Sequence, residues 1–395
     1  MATFQKVKIK DHCEITSSKR IFADEYLSSG VPFYRGKEIS EKQKSSSEIS
    51  DKIYISREKF EEIKSRYGVP QKGDLLLTSV GTIGNPYLVK DNEEFYFKDG
   101  NLTWFRNFKG IDGQWLYYWL LSPQGKSELN KCTIGSSQKA YTISLLYGLQ
   151  IELPDPNTQS RIASVLSAYD DLIENNEKRI KTLEEMAQRL YTEWFIKFKF
   201  PGHEKTPMVD SGTEYGMIPE GWEVCKIDDL LDTVKRKPKL RTNEYQKAGL
   251  FTIIDQGKDF IAGYTDNEET IYNENLIVFG DHSRCFKYCN FPFACGADGT
   301  QLLKSNNFER MPQILFYYCV TNAGLQNYNY ARHFKFLKTL PILKPDVETA
   351  KKFDQIVDKS YDQIQQLRIV NVATAKTLDF LIPQLVTGKR KLNIT

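Results

Sequence analysis

The stretch IASVLSAYDDLIENNEKRIKTLEEMAQRLYTEW, residues 162–194, decides the reading of this chain. Its apolar positions are Ile162, Leu166, Tyr169, Ile173, Ile180, Leu183, Ala187, Leu190 and Trp194, with Asn176 completing the series. The spacing alternates four and three without a slip, which is the seam of a coiled coil over about four heptads. The pattern returns 191 residues later at Phe353, Val357, Ser360, Ile364, Leu367, Asn371, Thr374, Leu378, Leu381 and Leu385. This second seam is the less apolar, and Pro383 is expected to end its helix, leaving Leu385 its least secure member.

A domain-sized segment precedes each helix. Residues 1–155 read as β-rich: 74–80 (DLLLTSV), 87–90 and 95–97 are short strands between Gly, Asn and Pro. Residues 41–50 (EKQKSSSEIS) read as a polar loop, and 115–121 (WLYYWLL) as a short buried helix before a Ser-Pro stop. Asn157 or Thr158 is placed to cap the first long helix, which runs from 156 to about 200. Residues 201–219 have linker composition, a second β-rich domain occupies 220–345, and the second helix with its tail fills 346–395. Leu75-Leu76-Leu77 matches Leu276-Ile277-Val278, Asp99-Gly100 matches Asp298-Gly299, and Tyr117-Tyr118 matches Tyr317-Tyr318, at offsets of 199 to 201. The fold class is therefore α+β: two β-rich domains separated by two long antiparallel coiled-coil helices, with a pseudo-two-fold internal repeat. In a centred antiparallel pairing residue x faces residue 547 − x, so Ile162 meets Leu385, Tyr169 meets Leu378, Trp194 meets Phe353, and Asn176 meets Asn371. An Asn facing an Asn inside an apolar seam costs stability and fixes register.

Bulk composition limits the function classes. The 395 residues carry 54 Lys and Arg against 51 Asp and Glu, a net charge of +3, so there is no global nucleic-acid signature. No continuous run of 18 apolar residues exists, the N-terminus has no signal-peptide pattern, and seven irregularly spaced cysteines argue for a reducing compartment. A cytoplasmic protein is expected. The local exception in charge is Lys235, Arg236, Lys237, Lys239 and Arg241, five cations in seven residues.

At these motifs the chain resembles the specificity subunits of type I restriction-modification systems. Gly73-Asp74-Leu75-Leu76 followed by Gly81-Thr82-Ile83-Gly84 is similar to the strand and turn of that family's target recognition domain. Gly135-Ser136-Ser137-Gln138, Gln159-Ser160-Arg161-Ile162-Ala163, Trp194-Phe195 through Pro201-Gly202-His203, and Leu385-Val386-Thr387-Gly388-Lys389 resemble its helix entries and exits. The second helix departs from the pattern, because no Gln corresponds to Gln159. The resemblance implies a non-catalytic subunit in which each recognition domain reads one half of a bipartite double-stranded DNA target. It also implies partners: two methyltransferase subunits carrying S-adenosylmethionine, and restriction subunits using ATP and Mg, with no cofactor in this chain and no membrane.

The residues agree that chemistry lies elsewhere. Asn85-Pro86-Tyr87 lacks the second Pro of an amino-methyltransferase turn, and no P-loop is present. His282, Cys285, Cys289 and Cys295 have the wrong spacing for a zinc knuckle, and the alternation from Cys285 to Cys295 reads as one strand, so no metal is expected. Base edges and phosphates favour Arg, Lys, hydroxyls and amides. The DNA-contact candidates in the first domain are Tyr34, Arg35, Lys37, Thr78, Ser79, Gly81, Lys139 and Tyr141. In the second they are Lys235, Arg236, Lys237, Lys239, Arg241, His282, Ser283, Arg284, Arg332, His333 and Lys335. The alternative reading is a two-domain scaffold whose coiled coil assembles other proteins without reading DNA.

Overall fold

The computed structural model describes residues 4–44, 49, 51–135, 139–296, 299–326 and 332–390. In chain order the first half comprises β1 (Gln5–Lys8), β2 (Glu14–Thr16), β3 (Val31–Tyr34), α1 (Gly36–Lys44), β4 (Ile53–Ile55), α2 (Arg57–Tyr67), β5 (Leu75–Thr78), β6 (Pro86–Leu88), β7 (Tyr96–Phe97) and β8 (Leu102–Arg106). It continues with α3 (Gly113–Leu121), α4 (Pro123–Lys131), β9 (Thr133–Ile134), β10 (Ala140–Tyr141), α5 (Ile143–Leu146), β11 (Gln150–Leu153) and α6 (Pro156–Tyr191). The second half comprises β12 (Met208–Asp210), β13 (Met217–Pro219), β14 (Glu223–Lys226), β15 (Phe251–Ile254), β16 (Gly263–Thr265), β17 (Ile271–Tyr272), β18 (Leu276–Gly280), β19 (Phe286–Cys289), β20 (Phe293–Cys295) and β21 (Thr300–Leu303). It ends with α7 (Gln313–Thr321), α8 (Phe334–Leu337), β22 (Pro341–Lys344) and α9 (Val347–Val386). The chain divides into two compact units, residues 1–177 with 370–395, and residues 178–369, so both long helices contribute to both units.

In the first unit β5 is the fully buried centre of a sheet ordered β2-β8-β5-β6, and β3 pairs antiparallel with β4 and parallel with β7. Strand β1 pairs with β11 just ahead of α6. In the second unit β18 is flanked by β19 and β21, β15 pairs antiparallel with β16 and parallel with β20, and β14 pairs with β22 just ahead of α9. The strands flanking β5 and β18 pair alike, but among the described residues β2 beside β8 and β17 beside β20 have no counterpart strand in the other unit.

The helices pair through the seam within each unit. In the first, Ile162, Leu166 and Tyr169 of α6 pack with Leu378, Leu381, Ile382 and Leu385 of α9 and with α3, whose Trp115, Leu116, Tyr118 and Trp119 are buried. In the second, Ala187, Leu190 and Trp194 pack with Phe353, Val357 and Ile364, and the Trp194 and Phe353 rings are 6.1 Å apart. Asn176, 3% exposed, donates from Nδ2 to Asn371 Oδ1 at 2.8 Å inside the first unit. The helices therefore run antiparallel in the centred register. Gln159 explains why a Gln at the helix start is useful. Its buried amide donates to the Gly110 and Pro154 carbonyls and accepts from Asp112 N–H, the cap of α3, so one side chain ties α6 to the domain before it. In the second unit the position 191 residues on is a buried Ala350. There the ties come from Trp222 Nε1–H to Asp346 and from the Arg310 guanidinium to the Gly221, Lys344 and Pro345 carbonyls.

Several local expectations are corrected. Residues 41–44 belong to α1 and are not a loop, because Ile39 is buried, Glu38 accepts from Arg35 N–H at 2.8 Å, and Lys42 pairs with Glu93. The cap of α6 is Asp155, which accepts from Thr158 N–H and Oγ1–H; neither Asn157 nor Thr158 caps it. Pro383 does not end α9. An interior Pro costs a helix about 3 kcal/mol, whereas Ile382, Leu385 and Val386 are all buried against α6, each burial contributing about 1.5–3 kcal/mol. Leu385 is accordingly among the best-buried members of its seam. The linker-like segment carries the β12–β13 hairpin. Of the motifs noted above, residues 136–138, Asp298, the 45–48 stretch and the terminal 391–395 lie outside the described residues. All seven cysteines are free. By length and composition alone α9 is long and apolar enough to cross a membrane, and most of its apolar stretch is not buried. This qualifies the expectation drawn from continuous apolar runs. Its apolar residues are divided between the seam and outward positions such as Val370 and Phe380.

Candidate nucleic-acid interface

In the first unit the β5–β6 turn gathers the candidate segments. Gly81 and Gly84 take positive φ, +81° and +85°, and Gly84 also leaves room for the Tyr141 hydroxyl, which would sit 3.0 Å from a Cβ. Thr78 Oγ1 accepts from Asn85 N–H at 2.9 Å, and Ser79 N–H donates to the Asn101 carbonyl at 2.8 Å. Tyr141 N–H reaches the Ser79 carbonyl and Val80 bridges Ala140, so Lys139 stands beside the turn. On the other side the chain leaving β3 brings Arg35 and Lys37. With Ser40, Val80, Thr82 and Asn101 they line a groove of about 570 Å³. The groove is not simply basic. Arg35 is held by Glu38 at 2.5 Å and by Asp51 at 3.1 Å, which keeps its guanidinium still more firmly protonated, and Glu41 lies 4.0 Å from Lys37.

In the second unit three segments meet at the β18–β19 turn. His282 and Ser283 are exposed, and Asp281, buried, holds the turn. The Asp281 carbonyl accepts from His333 N–H at 3.0 Å and lies 2.9 Å from His333 Nδ1; its carboxylate accepts from Phe334 N–H at 2.7 Å; its own N–H donates to the Gly299 carbonyl. The cationic run lies along the neighbouring sheet: Leu240 bridges Gly296, Lys239 Nζ donates to the Thr300 carbonyl at 2.6 Å, and Lys237 donates from its backbone to Tyr272 Oη and from Nζ to the Ile271 carbonyl. Lys235, Arg236 and Arg241 are exposed, and among the described residues their side chains form no ion pair. Arg332 and Lys335 are also exposed.

Residues 1–185 match the family model described as the type I restriction modification DNA specificity domain. Over 98% of its length the chain is 27% identical to the type I restriction enzyme MjaIX specificity subunit of Methanocaldococcus jannaschii, covering 93% of that protein. It shares the fold of the crystal structure of the type I restriction-modification S subunit from M. genitalium, with a TM-score of 0.60 at 15% identity over 97% of this chain and 96% of that one. The chain is thus similar to type I specificity subunits along its length, and its first 185 residues carry the match to their DNA specificity domain.

The structure corrects several candidate contacts. Thr78 and Ser79 are buried and spent internally, Ser79 Oγ lying 2.6 Å from Thr103 Oγ1. Tyr141 is buried in the core beneath the turn. Tyr34 packs its ring 4.8 Å from Phe95 under Lys42, and burial pushes its hydroxyl up to about 12. His333 is buried and positions Asp281. Lys237 and Lys239 are partly committed to carbonyls. The accessible remainder is Arg35, Lys37, Gly81 and Lys139 in the first unit. In the second it is Lys235, Arg236, Arg241, His282, Ser283, Arg284, Arg332 and Lys335. Sequence reasoning missed Thr82 and Asn101, which line the groove, and Gln256, packed against Gly280 and Gly299. Asn101 directly follows the Asp99-Gly100 pair matched between the halves, which is the signal that would have found it.

The thiols form no site. Cys289 and Cys295 are buried on strands of different sheets, because the chain turns at 290–292 and does not continue as one strand. Burial raises both thiols, Cys295 to about 11. Among the described residues no group of three His, Cys, Asp or Glu is arranged to hold a metal. Asn85 and Tyr87 serve the fold, Asn85 Nδ2–H donating to Ser40 Oγ and Tyr87 Oη–H to Glu93.

Proposed function

We propose that this chain is the DNA-recognition subunit of a type I restriction-modification complex, reading a bipartite double-stranded target with one half-site per unit. The observation that carries the reading is the convergence, in each unit, of three separate segments on the turn at the end of the central hairpin. These turns present cations, amides and hydroxyls, the groups that contact phosphates and base edges. Methyl transfer then belongs to partner chains: two methyltransferase subunits with S-adenosylmethionine, joined by restriction subunits using ATP and Mg. Apolar side chains on the outer helix faces favour protein docking there. They are Leu172, Val370 and Phe380 in the first unit, and Met186, Ile356 and Ile369 in the second, each more than 40% exposed. The test is to co-express the chain with the methyltransferase encoded beside it and map methylated adenines by direct sequencing. A two-part motif with an unread spacer is expected, and exchanging residues 1–155 should change only one part. Assembly with methyltransferase but no sequence-dependent methylation would refute it.

A further inference from the structure

The β18–β19 turn holds an arginine on a backbone that disfavours it. Arg284 has φ +60°, a region where a non-glycine residue is strained. Asn92, Asn107 and Phe198 also take positive φ. Asn tolerates this through local hydrogen bonding, and Phe198 packs its ring 5.6 Å from Trp222. Arg284 is held only through its backbone, its N–H donating to the Gly280 carbonyl at 2.8 Å; among the described residues its guanidinium has neither a hydrogen-bond acceptor nor a carboxylate partner. Arg35, by contrast, is paired through Nε and Nη2 with Glu38 and Asp51.

The turn around Arg284 is closed by backbone hydrogen bonds and tight packing. Gly280 N–H donates to the Cys285 carbonyl and Arg284 N–H to the Gly280 carbonyl. Gly280 has no space for a side chain, because Ser283 Oγ and Gln256 Cβ would lie 2.1 and 2.8 Å from its Cβ. Asp281, next in the chain, is fixed by His333 and Phe334. A glycine at 284 would remove the strain, and a phosphate contact would not require the strain, since Arg236 and Arg241 stand exposed on unstrained backbone. An unpaired guanidinium on a fixed turn suits a ligand that needs exact placement. A guanidinium has donors only, and among base edges in the major groove guanine alone offers two acceptors, O6 and N7.

We propose that Arg284 reads a guanine in the half-site recognised by the second unit, donating to O6 and N7, while Lys235, Arg236 and Arg241 supply phosphate contacts. This rests on the DNA-recognition reading above. The experiment uses the assembled methyltransferase complex and duplexes carrying its mapped target. Each guanine of the second-unit half-site is replaced in turn by 7-deazaguanine, which keeps pairing but removes N7. The wild-type complex should lose about 10-fold in affinity at one position, the loss of a good bidentate contact. The Arg284→Gly complex should show a comparable loss on unmodified DNA, indifference to the modified base at that position, and a thermal midpoint no lower than wild type. Arg284→Lys, which keeps the charge and can still donate to guanine, should retain part of the response to 7-deazaguanine that Arg284→Gly loses. Wild-type selectivity in Arg284→Gly, an undiminished response to 7-deazaguanine, or a half-site without guanine would overturn the assignment and leave the recognition role standing. A wild-type complex with no sequence preference would overturn both.

Discussion

The Asn176–Asn371 pair gives the sharpest test of how the scaffold is specified. Asn176 is almost fully buried, and its amide donates to Asn371 Oδ1 at 2.8 Å. Asn371 Nδ2 lies 3.5 Å from the Ile173 carbonyl. Asn371→Ala removes the acceptor and leaves a buried amide unsatisfied, a cost of about 1–3 kcal/mol. With a urea slope of about 2 kcal/mol per molar, the unfolding midpoint should fall by about 0.5–1.5 M. Replacing both residues by Leu removes donor and acceptor together and continues the apolar seam, so the double variant should unfold at or above the wild-type midpoint. Its non-additivity relative to the single variants should be within about 0.5–3 kcal/mol. What the double variant gives up is the one layer that penalises a shifted register. Urea titrations followed by helical circular dichroism measure all of this. Two results would refute the reasoning: Asn371→Ala unfolding at the wild-type midpoint, or the double Leu variant losing as much as both single changes combined.

Three further predictions concern the ends and the surface. Burial alone would raise the Asp346 carboxyl, but hydrogen bonds from Thr349 and from Trp222 Nε1 outweigh it and hold it below the usual range. The stability it contributes is therefore present above the ordinary carboxylate pKa and lost as pH falls through the folded value. Asp346→Ala should cost about 1 kcal/mol at neutral pH, and thermal melts should show the gap to wild type closing only as the pH falls below the ordinary carboxylate range. Neutralising Lys235, Arg236 and Arg241 together should weaken DNA binding evenly across sequences and flatten its salt dependence, by up to about 0.9 log unit per lost phosphate contact, as read from titrations at several salt concentrations. Ser79→Ala, which removes the buried contact with Thr103, should lower stability by about 1 kcal/mol and leave the methylated motif unchanged when adenines are mapped.

What was legible in the sequence was what a period can encode. The four-three alternation identified both helices and, once they are paired antiparallel and centred, the Asn layer, because a seam that slips by one residue exposes its apolar set. The LLL and LIV runs marked the central strands for the same reason. The turn side chains were less legible. Thr78 and Ser79 look like exposed hydroxyls because the strand before them is apolar, yet both are satisfied inside by Asn85 and Thr103. His333 looks like a DNA ligand by type and is instead a support for Asp281. The helix α1 is hidden in polar composition because one buried Ile39 and a buried Glu38 suffice to anchor it. Pro383 misled because a propensity rule was read without the burial that overrides it.

These failures share a cause that bears on function. In each unit, the residues that build the turn are buried and hydrogen-bonded, and the residues left for a ligand are few: Arg35, Lys37, Thr82 and Asn101 in one, His282, Ser283 and Arg284 in the other. A recognition domain built this way can change its target by changing side chains at the tip while Gln159, Asp112, Arg310 and the helix seam go on holding the frame. The Arg284 backbone marks where that freedom is already in use. A residue chosen for the fold at that φ would be glycine, as it is at Gly81 and Gly84 in the first unit's turn. An arginine stands there at a cost of about 1–3 kcal/mol, which the guanine contact proposed above would offset.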